Sequence, residues 1–337
     1  MKAAFIRRYG GPEVLELGEQ PAPIPGPDDL QVEVHAASVN PIDFKTRGGQ
    51  TKAVLPYRFP LILGNDLSGV VKAAGSRVTR FKPGDEIYAR LTKDRIGSFA
   101  EMALVRESAA ALKPTNITHE EAASLPLVGL TSWQAFVDIA RLDRGQKVLI
   151  HAGSGGIGTF AIQLAHHLGA VVATTASARN AEFVKQLGAD IVVDYRTRRF
   201  EDVCREQDVI FDTIGGETRH RSFSVMRRGG VMVSIAGMPD AKWGKSFGMN
   251  PVMVLALGFI SRKTTRLARK HGVRFEYLFM RADGQQLGEI AKLVERGIIR
   301  PVVDKVFPLD QIHEALAYSE SGRAKGKIVI RIGGSAP

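Results

Sequence analysis

The stretch "KVLIHAGSGGIGTFAIQLAHHLG" (147–169) decides the fold. Its first part, "KVLIHA" (147–152), reads as a short apolar strand. The later part has apolar residues at 157, 160, 161, 164, 165 and 168, the spacing of one helix face, and Gly169 is a natural stop. Between them, Gly153, Gly155 and Gly158 stand in G-x-G-x-x-G spacing. That spacing is weak by itself. Placed after a strand and at the opening of a helix, it reads as a dinucleotide-binding turn. The glycines permit a tight turn and let the backbone approach a pyrophosphate, to which the helix start offers free N–H groups. The predicted cradle is Gly153, Ser154, Gly155, Gly156, Ile157 and Gly158.

Downstream, strands and helices alternate. The sequence predicts strands at "VVATTA" (171–176), "IVVD" (191–194), "DVIFDTIG" (208–215) and "GVMVSIAG" (230–237). Helices are expected at "AEFVKQLG" (181–188, behind an Asn180 cap), near 198–206 and near 217–227. This alternation implies an α/β doubly wound parallel sheet. Residues 247–282 interrupt it with a longer helical stretch, apolar first and basic later, read as a surface or interface helix.

The first 120 or so residues have a different texture, rich in Gly, Pro and short strand-like runs such as 30–39, 67–75 and 85–91. The chain from 283 on resumes that texture with a helix, a strand–turn–helix and the closing strand "GKIVIRI" (326–332). The expected organisation is one strand-rich domain from both ends (1–125 and 283–337) with a cofactor domain (126–282, helical insertion near 247–274) inserted between. Only the tail "GGSAP" (333–337) lacks a packing pattern.

The region after the second strand of the cofactor domain selects the dinucleotide. An NAD site usually has an acid there to hold the ribose hydroxyls. Here Thr174, Thr175, Ser177 and Arg179 occupy it, and no acid comes before Glu182. Hydroxyls and a guanidinium suit a 2′-phosphate, so NADPH is the expected cofactor.

Composition closes other routes. The single cysteine, Cys204, excludes an intrachain disulfide framework and a Cys-rich zinc site. The N-terminus carries charges throughout and reads as a first strand rather than a signal peptide. The longest apolar run, 251–260, is too short to span a bilayer, so a cytoplasmic protein without a membrane partner is expected. The net charge of +11 is scattered, without the aromatic–basic interleaving of a nucleic-acid module, and no nucleic-acid partner is expected. The eight histidines show no ligand spacing. Asp66, in "LILGNDLSGVV" (61–71), therefore reads as the peg of a turn and not as a metal ligand, with Gly64 and Gly69 supplying unusual backbone angles. No metal site is expected.

The motifs "VNPIDFKTRGG", "LGNDLSGVV", "LPLVGLTSWQAF", "HAGSGGIGTFAIQLA", "GADIVVDY" and "GKIVI", in this order, resemble the medium-chain dehydrogenases and reductases over nearly the whole chain. Within that superfamily the sequence is similar to the zinc-independent quinone and enone oxidoreductases. Asn65-Asp66 after Gly64 departs from the Gly-His-Glu turn of the zinc enzymes. The resemblance implies a groES-like domain from both chain ends, a Rossmann domain between them, and a homodimer. It also implies site residues: Asn40 and Lys45 near the nicotinamide, with Lys45 where many quinone reductases have Tyr, and Thr131 approaching the ring. Ser177, Arg179 and Tyr195 would form the 2′-phosphate pocket, and Ile235, Phe279 and Met280 the wall at the carboxamide. The 247–274 insertion departs from the shortest quinone reductases.

Chemistry without zinc restricts the acceptor. Reducing an isolated carbonyl concentrates charge on one oxygen, which a Lewis acid normally stabilises. A quinone or an α,β-unsaturated carbonyl spreads that charge, and hydrogen-bond donors then suffice. The expected activity is NADPH-dependent reduction of quinones or enones, with Lys45 binding cofactor ribose or the developing enolate oxygen. Two alternatives stand beside it: an alcohol dehydrogenase or reductase of simple carbonyls, and a non-catalytic NADPH-binding redox sensor.

Overall fold

The computed structural model describes residues 1–333; the tail expected to lack packing lies outside them beyond Gly333. The chain forms two compact units, one from Met1–Leu130 with the chain from Arg281 onward, the other from Thr131–Met280.

The first unit opens with β1 (Lys2–Ile6), β2 (Leu15–Glu19), β3 (Asp29–Val39), α1 (Pro41–Arg47) and β4 (Leu61–Ile62). It continues through β5 (Asp66–Ala74), β6 (Glu86–Arg90), β7 (Met102–Arg106), β8 (Ala110–Leu112), α2 (His119–Ala123) and α3 (Pro126–Trp133). The second unit holds β9 (Lys147–Ile150), α4 (Gly156–His167), β10 (Val171–Ala176), α5 (Ala181–Gln186) and β11 (Ile191–Asp194). Then come β12 (Gln207–Asp212), α6 (Gly216–Ser222), β13 (Met226–Ser234), α7 (Ala241–Ser246), α8 (Pro251–Ile260), α9 (Arg262–His271) and β14 (Arg274–Tyr277). The chain returns to the first unit with α10 (Gly284–Glu295), β15 (Val303–Pro308), α11 (Ile312–Glu320) and β16 (Lys327–Arg331).

In the first unit, a sheet ordered β15-β16-β3-β5-β6-β8, with β7 also on β3, lies beside the sheet β2-β1-β4 in sequence but is a separate ladder. β3 is its axis. Leu30, Val32, Val34 and Ala36 alternate into the core, the period-2 signature of a strand with one buried face. The last strand pairs antiparallel with it, Ile328 opposite Val39, so the two ends of the chain share one core.

That pairing assembles a buried polar knot. Asp66 Oδ2 accepts from Ser38 Oγ (2.8 Å) and Asn40 Nδ2 (2.9 Å), and Lys327 Nζ stands 3.9 Å away. Lys327 Nζ donates to Asn40 Oδ1 (2.5 Å) and to the Val39 carbonyl (3.0 Å). Asp43 accepts from the Asn40 N–H (2.7 Å) and from Asn65 Nδ2 (2.6 Å). Asp66 is thus the first residue of a strand whose carboxylate ties three strands. This corrects the turn-peg reading; its partners lie 26 and more residues away in sequence. Gly64 does take a positive φ (+101°), but Gly69 does not: a Cβ there would sit 2.0 Å from the Glu33 carbonyl of the neighbouring strand. Gly69 is a close-approach glycine in a bulged ladder.

The knot orients α1. Asn40 caps it, Pro41 opens it, and Asp43 at its third position reaches back to the cap N–H. Asp43, Thr46 and Arg47 face inward, and Arg47 ties the helix to α11 through Glu320 (2.7 Å). Lys45 faces outward and is exposed.

The second unit is a six-stranded, wholly parallel sheet ordered β11-β10-β9-β12-β13-β14. The order runs outward in both directions from β9, so the doubly wound expectation holds, with its switch point beside β9. The helix expected near 198–206 is only a single turn at Phe200–Asp202. Glu206, at φ +54°, ends the segment just before β12, and Asp194 spends its carboxylate on the preceding turn, on the Arg196 N–H and Thr197 hydroxyl. No helix among the described residues is long and apolar enough to cross a membrane.

Removing one partner from a buried ion pair leaves an uncompensated charge. Lys327→Met should lower unfolding free energy by about 3–5 kcal/mol, measured in urea, and adding Asp66→Asn should restore part of the loss. A single-variant effect below about 1 kcal/mol would show that the knot is not what joins the strands.

Candidate active site

The carboxyl ends of β9, β10 and β11 carry the glycine turn, Ser177 and Tyr195 respectively. Register places them in a row: Ile150 pairs with Thr174, and Ala176 with Asp194, so Ser177 and Tyr195 leave adjacent strands side by side. Ser177 is buried; Arg179 and Tyr195 are exposed, with the Arg196 guanidinium 5.8 Å from the Tyr195 ring. The structure therefore brings the expected pocket residues to one edge.

Two of the three motif glycines are required by packing. A Cβ on Gly153 would stand 2.1 Å from Thr174 Oγ1, and one on Gly158 2.4 Å from the Ala152 carbonyl. At Gly155 a Cβ would meet only that carbonyl, at 3.5 Å, so the turn is open on that side. The N–H groups of Gly156, Ile157 and Gly158 begin α4 and have no preceding helical turn to bond to. Asn180 does not cap α5 with its side chain. Its Nδ2 donates to Ser154 Oγ (3.0 Å), and its buried Oδ1 has no hydrogen-bond partner among the described residues. An open glycine turn at a helix start, with an orphaned amide oxygen beside it, fits the diphosphate and ribose of a dinucleotide.

Thr174 and Thr175 are spent elsewhere. Thr174 Oγ1 donates to the Ile150 carbonyl (2.7 Å), and Thr175 Oγ1 accepts from the Ala152 N–H (3.0 Å). Both hydroxyls are committed to backbone groups, which leaves Ser177 and Arg179 as the polar side chains of that stretch at the strand end. Thr175 holds Ala152 at a left-handed φ of +55°, and His151 backs it at 3.4 Å. His151 Nε2 donates to Ser222 Oγ (2.8 Å), whose own proton goes to the Thr218 carbonyl. Burial pushes His151 down from 6.5 to about 4, so it is neutral and structural.

The ends of β12 and β13 are locked by a second buried pair. Asp212 Oδ1 accepts from the Ile214 and Gly215 N–H groups (3.2 and 2.7 Å), and Oδ2 from Arg219 Nε and Ser234 Oγ (2.7 Å each). The other arm of Arg219 reaches the Ala236 carbonyl. This fixes the half-buried Ile235 backbone, whose N–H donates to the Asp212 carbonyl (3.1 Å). Phe279 packs 5.7 Å from Trp243 and 5.6 Å from Phe247, and Met280 follows it half-buried. Sequence reading missed Asp212, Arg219 and His151. The available signal was an acid ending an apolar strand, followed by two glycines, in "DTIGGETR" (212–219).

In the first unit, Asn40 is 1 % exposed and both ends of its amide are engaged in the knot. The ammonium of Lys45, by contrast, makes no hydrogen bond or ion pair among the described residues. Thr131, on α3 where the second unit begins, is buried. Burial pushes Asp43 up to about 7 and raises Asp66, while it lowers Lys327. Among the described residues, no three His, Cys, Asp or Glu side chains gather as a metal site.

Comparison with known proteins agrees with this architecture. Residues 26–116 match the family model described as an alcohol dehydrogenase GroES-like domain, and residues 187–330 one described as a zinc-binding dehydrogenase. A mitochondrial NAD(P)H oxidoreductase of Danio rerio is 36 % identical over 98 % of this chain and 91 % of its own length. A chloroplastic NADPH-dependent alkenal/one oxidoreductase of Arabidopsis thaliana is 34 % identical over 98 % of this chain and 79 % of its own length. The solved quinone oxidoreductase from Coxiella burnetii superposes with a TM-score of 0.87 at 31 % identity, covering 99 % of each chain.

His151 makes stability depend on pH. Below 6.5 the unfolded chain binds a proton that the fold refuses, so the stabilisation is present above 6.5 and lost as pH falls toward 4. Asp43 has the opposite sign: its carboxyl holds a proton in the fold up to about 7, so its contribution is lost as pH rises through 7. Comparing wild type with His151→Gln cancels Asp43. The stability advantage of wild type should shrink by about 2 kcal/mol between pH 7 and pH 5, read by chemical unfolding. A constant difference would mean that His151 is not held neutral.

Proposed function

The chain belongs to the quinone oxidoreductase and enone reductase branch of the medium-chain dehydrogenases and reductases and is an NAD(P)H-dependent oxidoreductase, and we propose that it uses NADPH to reduce quinones or α,β-unsaturated carbonyls without zinc. Bound NADPH supplies a hydride for the electron-poor carbon of the acceptor.

The observation that carries the cofactor choice is the edge formed by Ser177, Arg179 and Tyr195. Ser177 offers a hydroxyl and Arg179 a guanidinium at the strand end where an NAD site has an acid. Asp194, the nearest carboxylate by register, is turned onto its own turn. The Gly155 opening and the α4 N–H groups would hold the diphosphate, and the loops fixed by Asp212 and Arg219 would hold the carboxamide.

The zinc-free reading is supported by the chemistry of the knot. The carboxylates that could attract a cation, Asp43 and Asp66, already accept from amides and a hydroxyl and lie with the Lys327 ammonium. That cation would oppose a metal ion. With Asn40 and Asp43 consumed in holding α1, Asn40 acts as a positioning residue. Lys45 is the polar group that α1 presents outward. Its Nζ would donate to the acceptor's carbonyl oxygen as negative charge develops there. A conjugated acceptor suits this arrangement, because its charge is spread before solvent supplies the final proton.

Two experiments test the reading. Ser177→Asp with Arg179→Ala should weaken NADPH binding more than tenfold while NADH binding changes little, since a charge-assisted contact contributes about 1.5–3 kcal/mol. Equal weakening of both would put the phosphate elsewhere. In steady-state NADPH oxidation with a small quinone or enone, Lys45→Met should lower kcat/KM about a hundredfold or more with melting temperature nearly unchanged. Constants within about twofold of wild type would remove Lys45 from the mechanism.

A further inference from the structure

We propose that α8 and α9 form a docking surface for an anionic lipid membrane, because the exposed face of the first is apolar and that of the second, directly after it, is cationic. The two helices are consecutive and meet at Ser261, which caps both (φ −83°, ψ 0°). The Ser261 N–H donates to Leu257 O (2.9 Å) and closes the first helix, and the Thr265 N–H donates to Ser261 O (2.9 Å) and opens the second.

One side of each helix is committed to the fold. Leu257, Ser261, Thr264 and Ala268 are buried at steps of four, three and four residues. Leu257 lies over Gly244 of α7, and Ala268 joins the core with Phe223 and Phe275. The opposite face carries Val252, Leu255 and Phe259, then Lys263, Arg266 and Lys270, at steps of three, four, four, three and four. The three apolar side chains are each 77 % exposed, and Ile260 beside them is 55 % exposed. A water-facing helix places polar residues on this face. Scattered exposed apolar residues are ordinary, but an aligned stripe of them marks an interaction site.

Charge selects the partner. Residues 241–275 contain eight Lys or Arg and no Asp or Glu. Lys263 is paired with Glu217 (2.5 Å), and Lys242 and Arg274 with Glu276 (2.6 and 3.4 Å); Arg266 and Lys270 are exposed. A second copy docked about a two-fold axis would set this cationic half against its own like, or against the other copy's Leu255 and Phe259, in a protein of net charge +11. An anionic bilayer matches both halves: apolar side chains enter the acyl boundary and cations meet the headgroups. The ten-residue helices are too short to span, so the pair would lie on the surface. No helix among the described residues is long and apolar enough to cross a membrane, so the proposed contact is peripheral.

Co-sedimentation of the whole protein with phosphatidylcholine vesicles, with and without phosphatidylserine, tests this at low salt. Binding should occur on the phosphatidylserine vesicles and be absent from phosphatidylcholine alone. Arg266→Glu with Lys270→Glu should weaken it about thirtyfold or more. Leu255→Ser with Phe259→Ser should weaken it at least about tenfold. These four side chains are exposed, so thermal unfolding should match wild type in both variants. Three results would overturn the proposal: no binding to either vesicle, equal binding to both, or binding untouched by the variants. If Leu255→Ser with Phe259→Ser instead dissociates a dimer in sedimentation velocity and leaves vesicle binding unchanged, the stripe belongs to a second copy.

Discussion

The strand-rich unit depends on the contact between Lys327 and the Asn40–Asp66 pair. It joins residues 287 positions apart in sequence at hydrogen-bond distance. Burying two carboxyl groups and an ammonium costs solvation, and the geometry offsets this only because nearly every polar atom has a hydrogen-bond partner. Asp66 Oδ1, left without one, is the exception. Once the knot is formed, the last strand has one register against β3, and α1 has one orientation with Lys45 outward. The buried apolar face already opposes a one-residue slip, which would turn its side chains outward; a buried ammonium between a carbonyl, an amide oxygen and a carboxylate also opposes a slip of two.

The parallel sheet solves a related problem with different chemistry. Its carboxyl edge needs loops that are open to a ligand yet fixed in place. Asp212 and Arg219 achieve this at one side of the switch point, and His151 with Thr175 and Ser222 at the other. Neither set faces outward. Each is buried, and each acts by removing freedom from the backbone that presents N–H groups and apolar side chains. The same economy explains why the motif glycines divide in function: Gly153 and Gly158 let strand and helix approach, and Gly155 keeps the cradle open.

The helical insertion departs from this pattern of buried polar order. Its inner face follows the ordinary rule, with small and apolar residues against α7 and the sheet core. Its outer face breaks the rule over α8 and observes it over α9. Local propensity and packing both permit the helices, so the exposed apolar half is not forced by folding.

Periodicity in the sequence determined the alternation of strands and helices, the glycine turn and the parallel sheet, because those signals are local and span a few turns or residues. It marked β10 and β11 to the residue and α4 to within one. It overextended 198–206 into a helix, since one apolar turn at Phe200, Val203 and Cys204 has the spacing of a helix without the length for one. It also read Thr174 and Thr175 as ligand-facing, when both are spent on backbone groups. Only the tertiary structure decided what Asp66 does. Its partners come from β3, the cap of α1 and the last strand, and nothing in "GNDLSG" encodes their approach. The same holds for Asp212 with Arg219 and for His151 with Ser222. A buried polar side chain is defined by what surrounds it, and those neighbours are brought together by the packing of apolar strands that the sequence does display.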